Sequence, residues 1–302
     1  MSNLKQIISY IKHPTFDSKY TSKDKIWNIL KFWGFFLIFA DIASLPALLA
    51  LQLISFDYGS NSVLKEQLIL PVWFSIISGV IFAPIREEAT FRLWLKPSLQ
   101  NLSLSLGFLV AMIVEVYIKL SGFTINSISP LMIHGFLIPA VASGLFYTGL
   151  RNNRILLNKT ISYLSTNFSL CFWTSHIIFA LLHCVNYDIQ KIWYIVPILT
   201  LSQFVIGLYL GFLRINYGFK WSLVAHGLHN LSTLAMFTLI SGRTAQIVER
   251  LKENNWDFSK GVTGLSIQDQ LSCALGYCIY ILAIVLFFST IKEIIPSKTK
   301  GI

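Results

Sequence analysis

Long apolar stretches separated by polar segments dominate this sequence. Eight of them can be distinguished, and most approach the roughly 20 residues of helix that a bilayer core of about 30 Å requires. They occupy residues 31–54, 68–85, 104–122, 130–150, 167–185, 192–213, 220–241 and 270–291. Each is apolar all round and does not alternate, which favours helices over the strands of an outer-membrane barrel. The pattern therefore predicts an all-α polytopic membrane protein with about eight transmembrane helices in one bundle.

The polar segments define the rest of the organisation. Residues 1–30 form a basic N-terminal segment, residues 31–295 one multi-span membrane domain, and residues 296–302 a short tail. The stretch 22–33 is basic and amphipathic, which is typical of a helix lying on the membrane surface. The weakest span is 104–122, because it carries two charged residues, and a re-entrant segment is the alternative there.

Composition and charge support a membrane protein. Only 13% of the residues are charged and 54% are hydrophobic, whereas ordinary soluble domains carry about 25% charged residues. The net charge of +10 is read as the basic bias of cytoplasmic loops and not as nucleic-acid binding. Eight crossings threaded by that rule leave both termini in the cytoplasm of a multi-pass cell-membrane protein. On this interpretation the lipid bilayer is a partner of the protein.

The first group of polar residues that apolar packing does not explain is Arg86-Glu-Glu-Ala-Thr-Phe-Arg92. Glu88 and Arg92 are four residues apart and share a helix face, in the order that favours an ion pair. Glu87 is rotated away by about 100° and lacks a strong local partner, which suits a general base. The alternative is a solvated charge cluster at the membrane boundary.

The second group is Phe179-Ala-Leu-Leu-His183 at the end of an apolar stretch. Phe172 and His176 repeat the same spacing, so the local pattern is ambiguous. We favour His183, because polar residues follow it and place it nearer a water boundary. A hydrogen-bonded core histidine is the alternative.

The third group is His226-Gly-Leu-His-Asn230. His226 and Asn230 are four residues apart on one helix face, while His229 is taken to point elsewhere. Two such groups can stabilise a developing oxyanion. The alternative is an interhelical hydrogen-bonding pair, worth about 0.6 kcal/mol on average in membranes.

The ordered set Glu-Glu-x-x-x-Arg, Phe-x-x-x-His and His-x-x-x-Asn resembles the CAAX-protease and bacteriocin-processing (CPBP, or Abi) family of intramembrane endopeptidases over about residues 71–235. The resemblance implies that Glu87 activates water with help from His183, that Glu88 and Arg92 form a supporting ion pair, and that His226 and Asn230 stabilise the oxyanion. Water would then attack the peptide carbonyl directly, without an acyl-enzyme.

Two features depart from the family pattern. Leu93 stands where the family often has glycine, and two extra apolar stretches lie between Glu88 and His183. With eight crossings that start from a cytoplasmic N-terminus, Glu87 lies near the cytoplasmic face and His183 at the opposite end of its own helix. Upright helices of about 16 residues would separate the two levels by about 24 Å.

Other chemistries and roles are weighed against this hypothesis. The sequence has no His-Glu-x-x-His and no Gly-x-Ser-x-Gly, so we expect a metal-free glutamate mechanism. A zinc ion is the alternative, because two histidines and a glutamate can bind it. A catalytically silent membrane scaffold and a small transporter are the functional alternatives. As a peptidase, the protein would act on a prenylated peptide, a leader peptide or a membrane-protein tail.

Overall fold

The computed structural model describes residues 3–16, 25–53, 74, 76–121, 133–186, 193–240 and 267–293. In these ranges the chain is helical almost throughout and contains no strand, which confirms the all-α class. Most of the predicted polar connection 242–269, and the tail 296–302, lie outside the described residues.

The described residues form eleven α-helices. In chain order they are α1 Asn3–Lys12, α2 Lys25–Leu53, α3 Ala83–Phe91, α4 Leu99–Leu120, α5 Ile138–Asn152, α6 Arg154–Thr166, α7 Phe168–Leu182, α8 Val196–Leu199, α9 Leu201–Asn216, α10 Phe219–Ile240 and α11 Ile267–Lys292. Two wider π-helical turns, Ile77–Phe82 and Ile133–Leu137, lead directly into α3 and α5. Short 3₁₀ turns lie at Leu93–Leu95, His183–Asn186 and Trp193–Ile195.

Four of the described segments are long and apolar enough to cross a membrane: Lys25–Ala47, Leu99–Ile118, Phe168–Asn186 and Ala274–Lys292. A fifth is possible if Trp193–Leu199 and Leu201–Asn216, which meet at 41°, form one bent span. Residues 99–120 form one continuous helix of spanning length, which favours a crossing over the re-entrant alternative for 104–122. The number of eight crossings stays a prediction.

The N-terminal region packs into the bundle instead of lying apart from it. Residues 25–33 are the first turns of α2, and Phe32 and Trp33 are buried in the main apolar cluster. Ile26 and Trp27 of the same stretch are 62% and 52% exposed, so the surface location expected for it stays a prediction. In α1, Leu4 and Ile7 are fully buried in the same cluster.

Helix α9 lies at the centre of the packing, and nearly every residue from Val205 to Ile215 is buried. On one side, its Tyr209 stacks on Phe36 of α2 with the ring centroids 4.9 Å apart, and the Tyr209 hydroxyl donates to the Ile29 carbonyl at 2.9 Å. Lys31 of α2 also forms an ion pair with Glu293, the residue directly after the end of α11.

Two glycines one turn apart on α9 allow α7 to approach closely. A Cβ atom on Gly211 would overlap the imidazole of His176 and would lie 2.9 Å from Cε2 of Phe172. A Cβ atom on Gly207 would lie 3.1 Å from Cδ1 of Phe179. Small residues at such positions let two helix backbones pack tightly. The face of α7 that carries Phe179 is thereby fixed against α9.

Helices α3 and α7 run antiparallel, which corrects the expected depth of the site. Leu95 shares a cluster with Phe168, the Ser175 hydroxyl donates to the Phe91 carbonyl at 2.5 Å, and Glu87 lies beside His183. The helix does not end at Pro84 but continues to Phe91 and then reverses. The 24 Å separation expected between Glu87 and His183 is therefore wrong, because the span boundary was placed too early.

Candidate active site

Glu88 is the centre of a fully buried polar cluster. Arg92 Nη1 donates to Glu88 Oε1 at 2.5 Å, and both side chains have no exposed surface. The Ser222 hydroxyl donates to Glu88 Oε2, and His226 Nδ1 lies 2.8 Å from Glu88 Oε1. A buried carboxylate needs such partners, because an unpaired charge is costly away from water. Glu88 thereby ties α3 to α10.

Arg92 is held from two further directions. The Phe179 ring lies over its guanidinium, with Cζ 4.1 Å from the ring centroid. The Arg92 backbone carbonyl accepts a bond from Arg214 Nε at 3.0 Å, and the Leu93 carbonyl accepts one from Arg214 Nη2 at 2.9 Å. Arg214 therefore satisfies carbonyls at the C-terminal end of α3, where a cation is favoured.

Arg214 and Ser222 are site residues that the sequence did not single out. Arg214 lies directly after the predicted span 192–213, where the charge bias of the loops indicates no more than a cytoplasmic location. Its burial and its two carbonyl partners are properties of the fold. Ser222 gave only a weak signal, as the small polar residue four positions before His226 on the same helix face.

Phe179 also fixes the orientation of His183. Nδ1 of His183 lies 2.8 Å from the Phe179 backbone carbonyl. Because a carbonyl can only accept, Nδ1 carries the proton, and Nε2 of the neutral ring presents a lone pair. His176 makes the corresponding bond to Phe172, but its imidazole packs against Gly211. The structure therefore places His183 next to Glu87 and His176 within the α7–α9 contact.

Glu87 faces both histidines. Its Oε2 atom lies 3.8 Å from Nε2 of His183 and 3.6 Å from Nε2 of His226. The side chain is 15% exposed, but Oε2 itself is shielded from solvent and has no hydrogen-bond partner among the described residues. These distances exceed those of direct hydrogen bonds. They suit groups that share a water molecule or a substrate atom between them.

His226 and Asn230 share one face of α10, as the spacing predicts, but they bond to different partners. His226 binds Glu88, whereas Asn230 Nδ2 donates to the Gly79 carbonyl at 2.8 Å. Gly79 belongs to the π-helical turn before α3, and such turns are frequent at functional sites. Gly227 allows this contact, because a Cβ atom there would lie 2.7 Å from the Val80 carbonyl. The Asn230 amide keeps a second N–H for another acceptor.

His229 adjoins Asn230 on α10, and its expected separation from the face of His226 and Asn230 stays a prediction. Its Nδ1 atom is buried and has no hydrogen-bond partner among the described residues.

A cleft opens beside Glu87 and His183. It lies between α3, α4 and the end of α7, and its floor includes the buried side chains of Phe91, Met112 and Phe179. In the described part of the chain, no group of three or more His, Cys, Asp or Glu side chains is arranged to hold a metal ion.

We predict that Arg92→Ala lowers the amount of folded protein. It would leave Glu88 as an uncompensated buried charge, a loss of roughly 3–5 kcal/mol for such a pair. The double variant Glu88→Gln with Arg92→Met removes both charges and should restore part of the protein. Membrane levels and thermal stability in detergent measure the effect.

Arg154→Ala is the control, because Arg154 is exposed and the same charge is removed. Equal accumulation of the Arg92→Ala and double variants would contradict a stabilising role for the pair.

No protein-family model matches the chain, no curated protein matches it, and no solved structure matches it. The resemblance to the CPBP family thus rests on the three motifs of the sequence.

Proposed function

We propose that this chain is an intramembrane endopeptidase. It hydrolyses a peptide bond of a membrane-associated substrate, such as a prenylated or leader peptide, by direct attack of water. The observation that supports this most strongly is the shielded Glu87 carboxylate, 3.8 Å and 3.6 Å from the Nε2 atoms of two histidines on two other helices.

In the proposed mechanism, a water molecule donates one hydrogen bond to Glu87 and one to Nε2 of His183. Its oxygen lone pairs then face the substrate carbonyl. The water oxygen attacks the carbonyl carbon while a proton passes to Glu87, which acts as general base. When the C–N bond breaks, Glu87 returns this proton to the leaving amine. The products are a carboxylic acid and an amine, and no acyl-enzyme forms.

His226 and Asn230 are proposed to stabilise the oxyanion. In this role His226 donates through Nε2, which requires a proton on both ring nitrogens, because Nδ1 already donates to Glu88. Asn230 would use the N–H that is not bonded to Gly79. Preorganised donors of this kind contribute most where water is excluded.

The proposed setting is a multi-pass cell-membrane protein with eight crossings and both termini in the cytoplasm. If α7 begins at the cytoplasmic face, as this setting proposes, the site lies inside the membrane, because Glu87 and His183 lie at the opposite end of α7 from Phe168. His183 follows Phe168, the first residue of α7, by 15 positions, or about 22 Å of helix.

We predict that topology reporters fused after Lys96 and after Ile302 both read as cytoplasmic. The reason is the basic bias of the segments on that side. Paired reporters that are active on opposite sides of the membrane measure this. A reporter after Lys96 that reads as external would contradict the proposed topology of eight crossings.

We predict that Glu87→Gln abolishes proteolysis while the protein still folds. The amide keeps the shape of the side chain but cannot take a proton from water. Comparative proteomics of membranes from cells that make the wild-type or the variant protein should identify peptides cleaved only by the wild type. Asp41→Asn on α2 is the control, because it makes the same carboxylate-to-amide change on a helix that carries none of the proposed catalytic residues.

The same variant separates the alternative functions. A scaffold would keep its function in Glu87→Gln, and a transporter would lose flux without a cleavage product in either form. Full proteolysis by the Gln variant would contradict Glu87 as the base.

We predict that Asn230→Ala lowers kcat by about 10²–10³, with little change in substrate binding, because one oxyanion donor is lost. Asn216→Ala is the control, since Asn216 on α9 also bonds a backbone carbonyl. Activity that a chelator abolishes and zinc restores would contradict the metal-free mechanism. An unchanged kcat in Asn230→Ala would remove this residue from the oxyanion site.

A further inference from the structure

The cleft beside the proposed catalytic residues has an apolar floor, with polar groups beside that floor and at its rim. Phe91, Met112 and Phe179 are nearly fully buried in one cluster, and Leu182 packs against them. Glu87 and His183 line the same cleft. A group that enters it therefore contacts hydrocarbon on one side and the proposed general base on the other.

Helix α4 supplies one wall of the cleft. Met112 and Val116 are four residues apart and both line it, whereas Ile113 and Tyr117 are 59% and 73% exposed. One face of α4 is thus directed to the cleft and the adjacent face is directed outward. This alternation provides neighbouring residues of similar size that differ in whether they line the cleft.

The rim of the cleft is closed by an ion pair between two helices. Arg86, next to Glu87 on α3, binds Glu115 of α4. Both side chains line the cleft and are only partly exposed, at 28% and 23%. Because the pair joins α3 to α4, it sets the distance between the two walls at the rim.

We propose that this cleft binds one apolar side chain of the substrate, at a residue that adjoins the cleaved bond, and that the Arg86–Glu115 pair limits its width. This inference rests on the proposed peptidase function. The apolar floor disfavours a charged side chain, since burial without a partner is costly. Medium-sized and large apolar side chains such as Leu, Met and Phe fit the lining chemistry.

The test uses a degenerate peptide library, incubated with the full-length protein in liposomes, and mass spectrometry of the products. For the wild type, Leu, Met and Phe should be enriched about tenfold over Asp and Lys at one position beside the cut. Met112→Trp fills the cleft and should shift this position to Ala, Gly and Ser. Glu115→Gln loosens the rim and should broaden the preference towards larger residues.

Ile113→Trp is the matched control, because it adds the same side chain to the outward face of α4 and should leave the profile unchanged. Cleavage that depends on Glu87 but shows no apolar preference, or a profile that Met112→Trp does not alter, would overturn the subsite and leave the peptidase proposal standing. The absence of any Glu87-dependent product would overturn the peptidase proposal, and the subsite with it.

Discussion

The buried charge of Glu88 is the constraint on which the rest of this site depends. A carboxylate with no exposed surface requires a cation and hydrogen-bond donors, and three side chains supply them. Arg92 comes from the same helix, while Ser222 and His226 come from α10. Satisfying one buried charge therefore fixes the position of α10 relative to α3. It also orients the His226 ring, so that Nε2 is directed towards Glu87.

The second requirement is the close approach of α7. Phe179 covers the Arg92 guanidinium with its ring and accepts the His183 Nδ1–H with its carbonyl. One residue thereby supports the ion pair and sets the tautomer of a histidine at the site. This position is possible because Gly207 and Gly211 of α9 leave room for the α7 side chains. The Phe-x-x-x-His spacing thus has a physical reason: the aromatic residue orients the histidine and covers the arginine, although its own side chain is not reactive.

The segment before α3 contacts α10 through its backbone carbonyls. The π-helical turn Ile77–Phe82 offers the Gly79 carbonyl to Asn230, and Gly227 allows the Val80 carbonyl to lie against α10. Asn230 is therefore a structural residue in this conformation as well as the proposed oxyanion donor. The two roles are compatible, because a primary amide has two N–H groups.

The sequence by itself determined what depends on local geometry. Apolar stretches of membrane length predict helices, and a spacing of four predicts that Glu88 meets Arg92 and that His226 and Asn230 share a face. Such relations follow from the helical repeat alone. The family resemblance implied that Glu87, His183 and His226 share a site, but only the tertiary structure gave the helix contacts that bring them together. It alone decided that Arg214 caps α3 and that Arg86 pairs with Glu115. These contacts join helices distant in the chain, and they depend on helix ends and close approaches that apolar periodicity does not encode.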